Sequence, residues 1–305
     1  MAAGVLLGIA VPPLAALARP LLVPALVIPL ALALLRLDWH AIAAWRQRAR
    51  STLLLIVWVL GVCPVVVWAV ATALVPLGLP PPLREALVLM GASSPLVTSV
   101  AIALIVGLDA TLAVVVVLVA TALVPFTLPL LAKALVGVTL QIGVGFFMLR
   151  LGTLVGGAFA LAWLIRRLVT PASLTRHREL LDGLTVVNLV LFAIAIMDGV
   201  TAYALAAPRY VALAIAAAFG FNLLLQGIGY LAFMRLGARG ALTAALVSGN
   251  CNLGLVLVAL EGEASFEVTI FFALAQIPMY TLPALLMPVY RRALGAPRAK
   301  EANSR

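Results

Sequence analysis

Four hydroxyls surround one proline: Ser93, Ser94, Thr98 and Ser99 lie around Pro95 in a run that begins at Gly91 and Ala92. About half a chain later, Asn250 and Asn252 flank Cys251, within a run that opens with Ser248 and Gly249 and closes with Leu253 and Gly254. Hydroxyls and amides donate and accept hydrogen bonds without carrying charge, so their chemistry is recognition of a solute rather than cleavage of a bond. A hydrolase inside a membrane would need a nucleophile with a general base, or metal ligands, within reach of one another. His40 and His177 fall in basic loops, and no His-Glu-x-x-His motif or paired membrane aspartate occurs. Cys63 and Cys251 show neither a zinc spacing nor a disulfide framework and read as free core thiols. No enzyme, metal or cofactor is expected.

Both polar runs interrupt apolar stretches. Irregular backbone at membrane depth leaves N–H and C=O groups unpaired, so it must be covered by protein or line a cavity. Two such interruptions in corresponding halves of a chain are the pattern of discontinuous helices that build a midplane site in a carrier. Ser93, Ser94, Thr98, Ser99, Asn250 and Asn252 are therefore the candidate substrate-binding residues. Gly91, Pro95, Gly249 and Gly254 are the helix breaks. Gln226 and Gln276 could extend the polar lining, with Tyr280 beside them, although a lone amide in a bundle commonly bonds two helices together.

Composition fits this reading. The chain is 65% hydrophobic and 10% charged, with a mean hydropathy of +1.24, whereas soluble domains carry about 25% charged residues. At about 20 residues per crossing, 305 residues hold about ten spans. These are expected near 3–18, 20–36, 51–75, 83–106, 110–134, 147–166, 181–200, 209–234, 241–260 and 267–290. With both termini in the cytoplasm, fifteen basic residues, Arg178 among them, lie inside, and Arg19, Arg84, Lys133, Arg150 and Arg209 lie outside. That is the positive-inside pattern. The net charge of +10 therefore orients the chain in a lipid bilayer, expected to be a bacterial inner membrane, and calls for no nucleic acid.

Five spans per half make the second half enter from the opposite side, which predicts an inverted repeat. The expected division is a first five-helix repeat over 1–135, an interfacial connector over 136–147, a second repeat over 148–292 and a cytoplasmic tail over 293–305. The fold class is thus an all-α integral membrane protein with two discontinuous, crossing helices. Prolines such as Pro12, Pro29, Pro64, Pro125 and Pro283 should kink many of the spans.

The order of Pro64, the Gly91–Val100 run, Gly107, Thr121 to Pro125, Gln226 to Tyr230 and Gly249 to Leu255 resembles the bile acid:sodium symporter family. The resemblance runs from about Pro12 to Arg292. It implies ten helices in an inverted repeat, a panel of spans one, two, six and seven against a core of the other six, and alternating access around spans four and nine. It also implies sodium ligands. Thr98, Ser99 and Thr121 match oxygen-bearing positions, but Val59, Val117 and Val247 stand where the family has an amide, a fifth-span ligand and an acid. Valine offers no oxygen to a hard cation, and a bare charge at the midplane costs roughly 3 kcal/mol even on the lenient insertion scale. Sodium coupling is not expected; proton coupling would fall to Asp109 or Asp198, each of which reads more simply as an interfacial cap. The expectation is a secondary carrier of a small organic anion or amphipathic acid. The alternatives are a non-transporting sensor on the same fold, or an auxin-efflux-like or arsenite-type exporter.

Overall fold

The computed structural model describes residues 2–35, 49–137 and 142–295. The arginines expected at 36, 46, 48, 298 and 305, with Lys300, His40, Trp39 and Trp45, lie outside the described residues, as does most of the 293–305 tail. Among the described residues the chain is helical, and the one β feature is an isolated antiparallel bridge between Pro95 and Cys251.

The helices are α1 (Ala2–Ala10), α2 (Pro12–Ala18), α3 (Leu22–Leu35), α4 (Ala49–Val57), α5 (Cys63–Leu74), α6 (Pro81–Gly91), α7 (Thr98–Val106), α8 (Ala110–Leu135) and α9 (Val144–Leu168). They continue as α10 (Pro171–Arg176), α11 (Arg178–Ala195), α12 (Val200–Ala206), α13 (Pro208–Ala232), α14 (Gly237–Gly249), α15 (Leu253–Ala259), α16 (Phe266–Leu274) and α17 (Gln276–Ala293). Among the described residues, seven helical runs are long and apolar enough to cross a membrane, including Pro12–Leu35, Ala49–Leu77 and Arg178–Ala206. The pairs α6–α7 and α14–α15 fall outside that set because each is cut by its break. Large apolar side chains such as Leu17, Leu168, Leu205 and Leu285 are exposed on the outside, an apolar surface of the kind that contacts membrane.

The expected boundary between the first two spans, at residues 18–20, is corrected. The chain breaks at Val11, whose φ of −128° and ψ of 74° lie outside the helical region, because the residue before a proline is pushed out of it. Pro12 and Pro13 then occupy the first turn of α2, where a missing N–H costs nothing. The segment around Pro20 is a single 3-10 turn, Arg19–Leu21, inside the continuous run to Leu35. Helix α9 begins at Val144.

Pro64 is absorbed in another way. The turn before it widens to a π-helix over Trp58–Val62, and the N–H of Cys63 bonds back to the carbonyl of Trp58. Such π segments absorb an interruption of the helical ladder without ending the helix.

Helices α1, α2 and α3 lie against α11, and α3 also lies against α9. Elsewhere α13 packs on α14, α5 on α6, and α7 on α8. Arginines finish several helices. Arg166 donates to Leu35 O at 2.7 Å, Arg84 to Leu135 O at 3.2 Å, and Arg150 to Glu261 O at 2.7 Å, just past the end of α15. A cation at the carbonyl end of a helix meets both free acceptors and the negative end of the dipole.

Candidate functional site

At the first break, Gly91 ends α6, and the hydroxyl of Ser93 donates to Met90 O at 2.8 Å, closing the last turn. At the second, Asn250 and Asn252 take ψ values of 82° and 74°, outside the helix. The two breaks then serve each other. The N–H of Leu96 donates to Asn250 O at 2.7 Å, and the N–H of Asn252 donates to Ser94 O at 2.8 Å. Pro95 and Cys251 face each other at the centre of this pair. In that register the central residues contribute no ladder N–H, so Pro95, which has none, fits without loss. The spare N–H of Cys251 turns to the sulfur of Met279 at 3.3 Å. A side-chain bond from Asn250 Nδ2 to Ser99 Oγ at 3.1 Å adds a further link. Backbone groups that lipid would leave unpaired are thereby satisfied.

Glycine permits this close approach. A Cβ on Gly249 would stand 2.6 Å from Asn222 O and closer still to the Gln226 side chain, and one on Gly91 would stand 2.8 Å from Val67. Behind the second break runs a buried polar chain. Tyr290 donates to Gln226, Gln226 Nε2 donates to Asn222 Oδ1 at 2.6 Å, and Asn222 Nδ2 donates to the Met279 sulfur at 3.3 Å. Gln226 thus belongs to the support of the break and is absent from the cavity lining. Trp58 reaches in from the π turn and donates to Ser248 Oγ at 3.0 Å.

In front of the breaks lies a cavity of about 390 Å³. Leu26, Pro29 and Leu30 of α3 and Leu189 and Phe192 of α11 form one wall, with Leu96, Val97 and Leu104 across from them. Its polar lining is Thr98, Asn252, Gln276, Tyr280, Thr185 and Arg178. Asn252 has two duties. Its Oδ1 accepts from Leu255 N at 3.3 Å and caps α15, while its amide nitrogen has no protein acceptor among the described residues. Gly254, also in the lining, lies against Phe192: an added Cβ would come within 2.7 Å of the ring.

Of the residues expected from sequence, Thr98, Asn252, Gly254 and Gln276 meet at this cavity. Ser93, Ser94, Ser99, Pro95 and Asn250 form the paired backbone and its links, and are not among the lining residues. Thr121 is buried on α8, away from the lining. Three buried oxygens, Ser94 Oγ, Thr121 Oγ1 and Asn250 Oδ1, have no hydrogen-bond partner among the described residues. Val59, Val117 and Val247 lie together in one apolar cluster with Leu55, Leu246 and Tyr290. Asp109 caps α8 through Leu112 N at 3.0 Å, and Asp198 pairs with Arg19 at 3.0 Å.

Sequence reasoning passed over Arg178, Thr185, Leu189 and Phe192. Their spacing of seven, four and three residues places them on one helical face, and that was the available signal. A family model described as Sodium Bile acid symporter family matches residues 23–207. That stretch holds α3, the first break and the whole of α11, and stops short of the second break. No curated protein matches the chain.

Proposed function

The chain belongs to the sodium bile acid symporter family, and from that premise we propose that it is a secondary carrier moving a small organic anion or amphipathic acid by alternating access. The observation that carries the reading is the antiparallel pairing of the two helix breaks beside a cavity they help to line. A solute in that cavity touches both halves of the chain. It also lies between α3 and α11 on one side and the breaks on the other, so a rocking motion of one group against the other would open it alternately to the two faces.

The proposal includes ten spans in two inverted five-helix repeats, with residues 1–135 and 148–292 as the repeats, the nine-residue α1 as a shortened first span, and both termini in the cytoplasm of a bacterial cell. The paired arginines at the ends of α9 and α17 and Arg178 at the start of α11 support this orientation. Coupling through the family's usual sodium ligands is not part of the reading. The shared apolar cluster of Val59, Val117 and Val247 supports that exclusion, because a cation there would meet methyl groups where it requires oxygen.

The test is uptake into proteoliposomes of a panel of organic acids, each run with a sodium gradient, a proton gradient and none. Gradient- or concentration-driven accumulation of at least one acid is expected, and Asn252→Leu should abolish it while leaving expression intact. Binding of the same acids with no translocation would instead identify a sensor.

A further inference from the structure

Arg178 is the one charged group among the described residues that line the cavity. We infer that it is the anion-binding, specificity-determining residue of the site: it holds the carboxylate of an amphipathic acid whose apolar body lies along α3 and α11 and whose far end meets Asn252. This rests on the carrier reading and adds to it which end of the solute sits where.

The cavity has two unlike ends. Arg178 opens α11, and Thr185, Leu189 and Phe192 follow on the same face. At 1.5 Å per residue, Arg178 and Phe192 stand about 21 Å apart along the helix, and Phe192 touches the position of Gly254 beside the second break. The deep end therefore belongs to Asn252, Thr98, Gln276 and Tyr280, and the outer end to the guanidinium.

The deep end lacks the charge a carboxylate needs. Its polar groups are neutral, and the first turn of α15 is already occupied by the side-chain oxygen of Asn252. What Asn252 presents to the cavity is an amide donor, suited to a hydroxyl or carbonyl oxygen. Between the ends the wall is Leu26, Leu30, Leu189 and Phe192, against which a carboxylate would be stranded without a partner.

Arg178 is free to take such a ligand. Its ion pair with Asp182 spans 4.0 Å, with the two side chains 81% and 49% exposed. Exposed pairs at this spacing hold weakly. A carboxylate approaching the planar fork can instead make two parallel N–H···O bonds. The positive-inside pattern accounts for an arginine near this face of the membrane but not for its place on the same helical face as the cavity lining.

The test uses the full chain in lipid nanodiscs and two probes of equal length, ω-hydroxyoctanoate and its neutral primary amide, titrated by calorimetry. The unaltered chain should bind the acid more tightly than the amide. Arg178→Gln should weaken the acid about tenfold or more and leave the amide unchanged, and Arg178→Lys should keep part of the preference, because charge remains while the fork is lost. Equal binding of acid and amide by the unaltered chain, or a loss in Arg178→Gln that is the same for both or absent for both, overturns the assignment. Asn252→Leu separates the two levels of the argument. If it abolishes binding while Arg178→Gln does not, the cavity stands and only the role of Arg178 falls; if neither variant changes binding, the site itself falls.

Discussion

Gly249 has no room for a methyl group. Its missing Cβ would stand 2.6 Å from the carbonyl of Asn222, a backbone atom of α13 that cannot swing aside. Gly249→Ala should therefore destabilise the protein by about 1–3 kcal/mol, the usual range for overpacking, seen as a lowered melting temperature in detergent. Gly254 is a different case, since its neighbour is the edge of the Phe192 ring, the far end of a side chain that can turn. Gly254→Ala should nearly keep the melting temperature and lose solute binding, because the methyl and the displaced ring take up cavity space. At Asn252, two substitutions divide its two duties. Asn252→Asp retains an oxygen to cap α15 but replaces the amide donor with negative charge, so fold and expression should survive while uptake of anions fails. Wild-type uptake by that variant would show that the cap is the residue's whole role.

Among the elements, the start of α8 and the end of α11 adjoin the two carboxylates considered for proton coupling, Asp109 and Asp198. Asp109 spends its Oδ1 on the N–H of Leu112, and its own N–H bonds to Thr243 Oγ1 at 3.0 Å, joining the start of α8 to α14. Asp198 follows α11 and meets Arg19, which also approaches Glu261 at 3.6 Å. Asn is nearly as good a cap as Asp. Asp109→Asn should thus leave both stability and the pH profile of uptake unchanged, whereas Asp109→Ala should cost about 0.5–2 kcal/mol in thermal unfolding. A pH profile flattened by Asp109→Asn would make Asp109 a proton carrier instead. The π turn of Trp58–Val62 also acts between elements. It absorbs Pro64 without ending the helix, and it delivers Trp58 to Ser248 at the foot of the second break.

The interior of the whole molecule contains two unlike regions, one polar and one apolar. The paired breaks satisfy their backbone groups through each other, while Val59, Val117 and Val247, three of the six positions that the resemblance matches to cation ligands, lie in a common apolar cluster. Uptake should consequently proceed at the same rate when sodium chloride is replaced by choline chloride. Val247→Glu alone should not restore a sodium response, since the introduced carboxylate would be surrounded by apolar side chains and would stay protonated. A sodium-dependent rate in the unaltered chain would overturn this account of coupling without touching the solute cavity.

Hydrophobic content, basic bias and the two polar runs were legible residue by residue, because each follows from what lipid does to unpaired backbone and charge. They specify a membrane protein of this family with helices broken near Pro95 and Asn250. Sequence placed the first boundary late, at residues 18–20, because Pro20 and Pro12 look alike as helix breakers and only packing decided that the chain turns at Val11 and runs on through Arg19–Leu21. Tertiary structure alone decided that Pro95 faces Cys251, that Gln226 supports a break, and that Arg178 shares a cavity with Asn252. The reason is distance along the chain: those arrangements join residues some 20 to 160 positions apart, and which faces meet depends on the docking of whole helices, a property that local propensity does not encode.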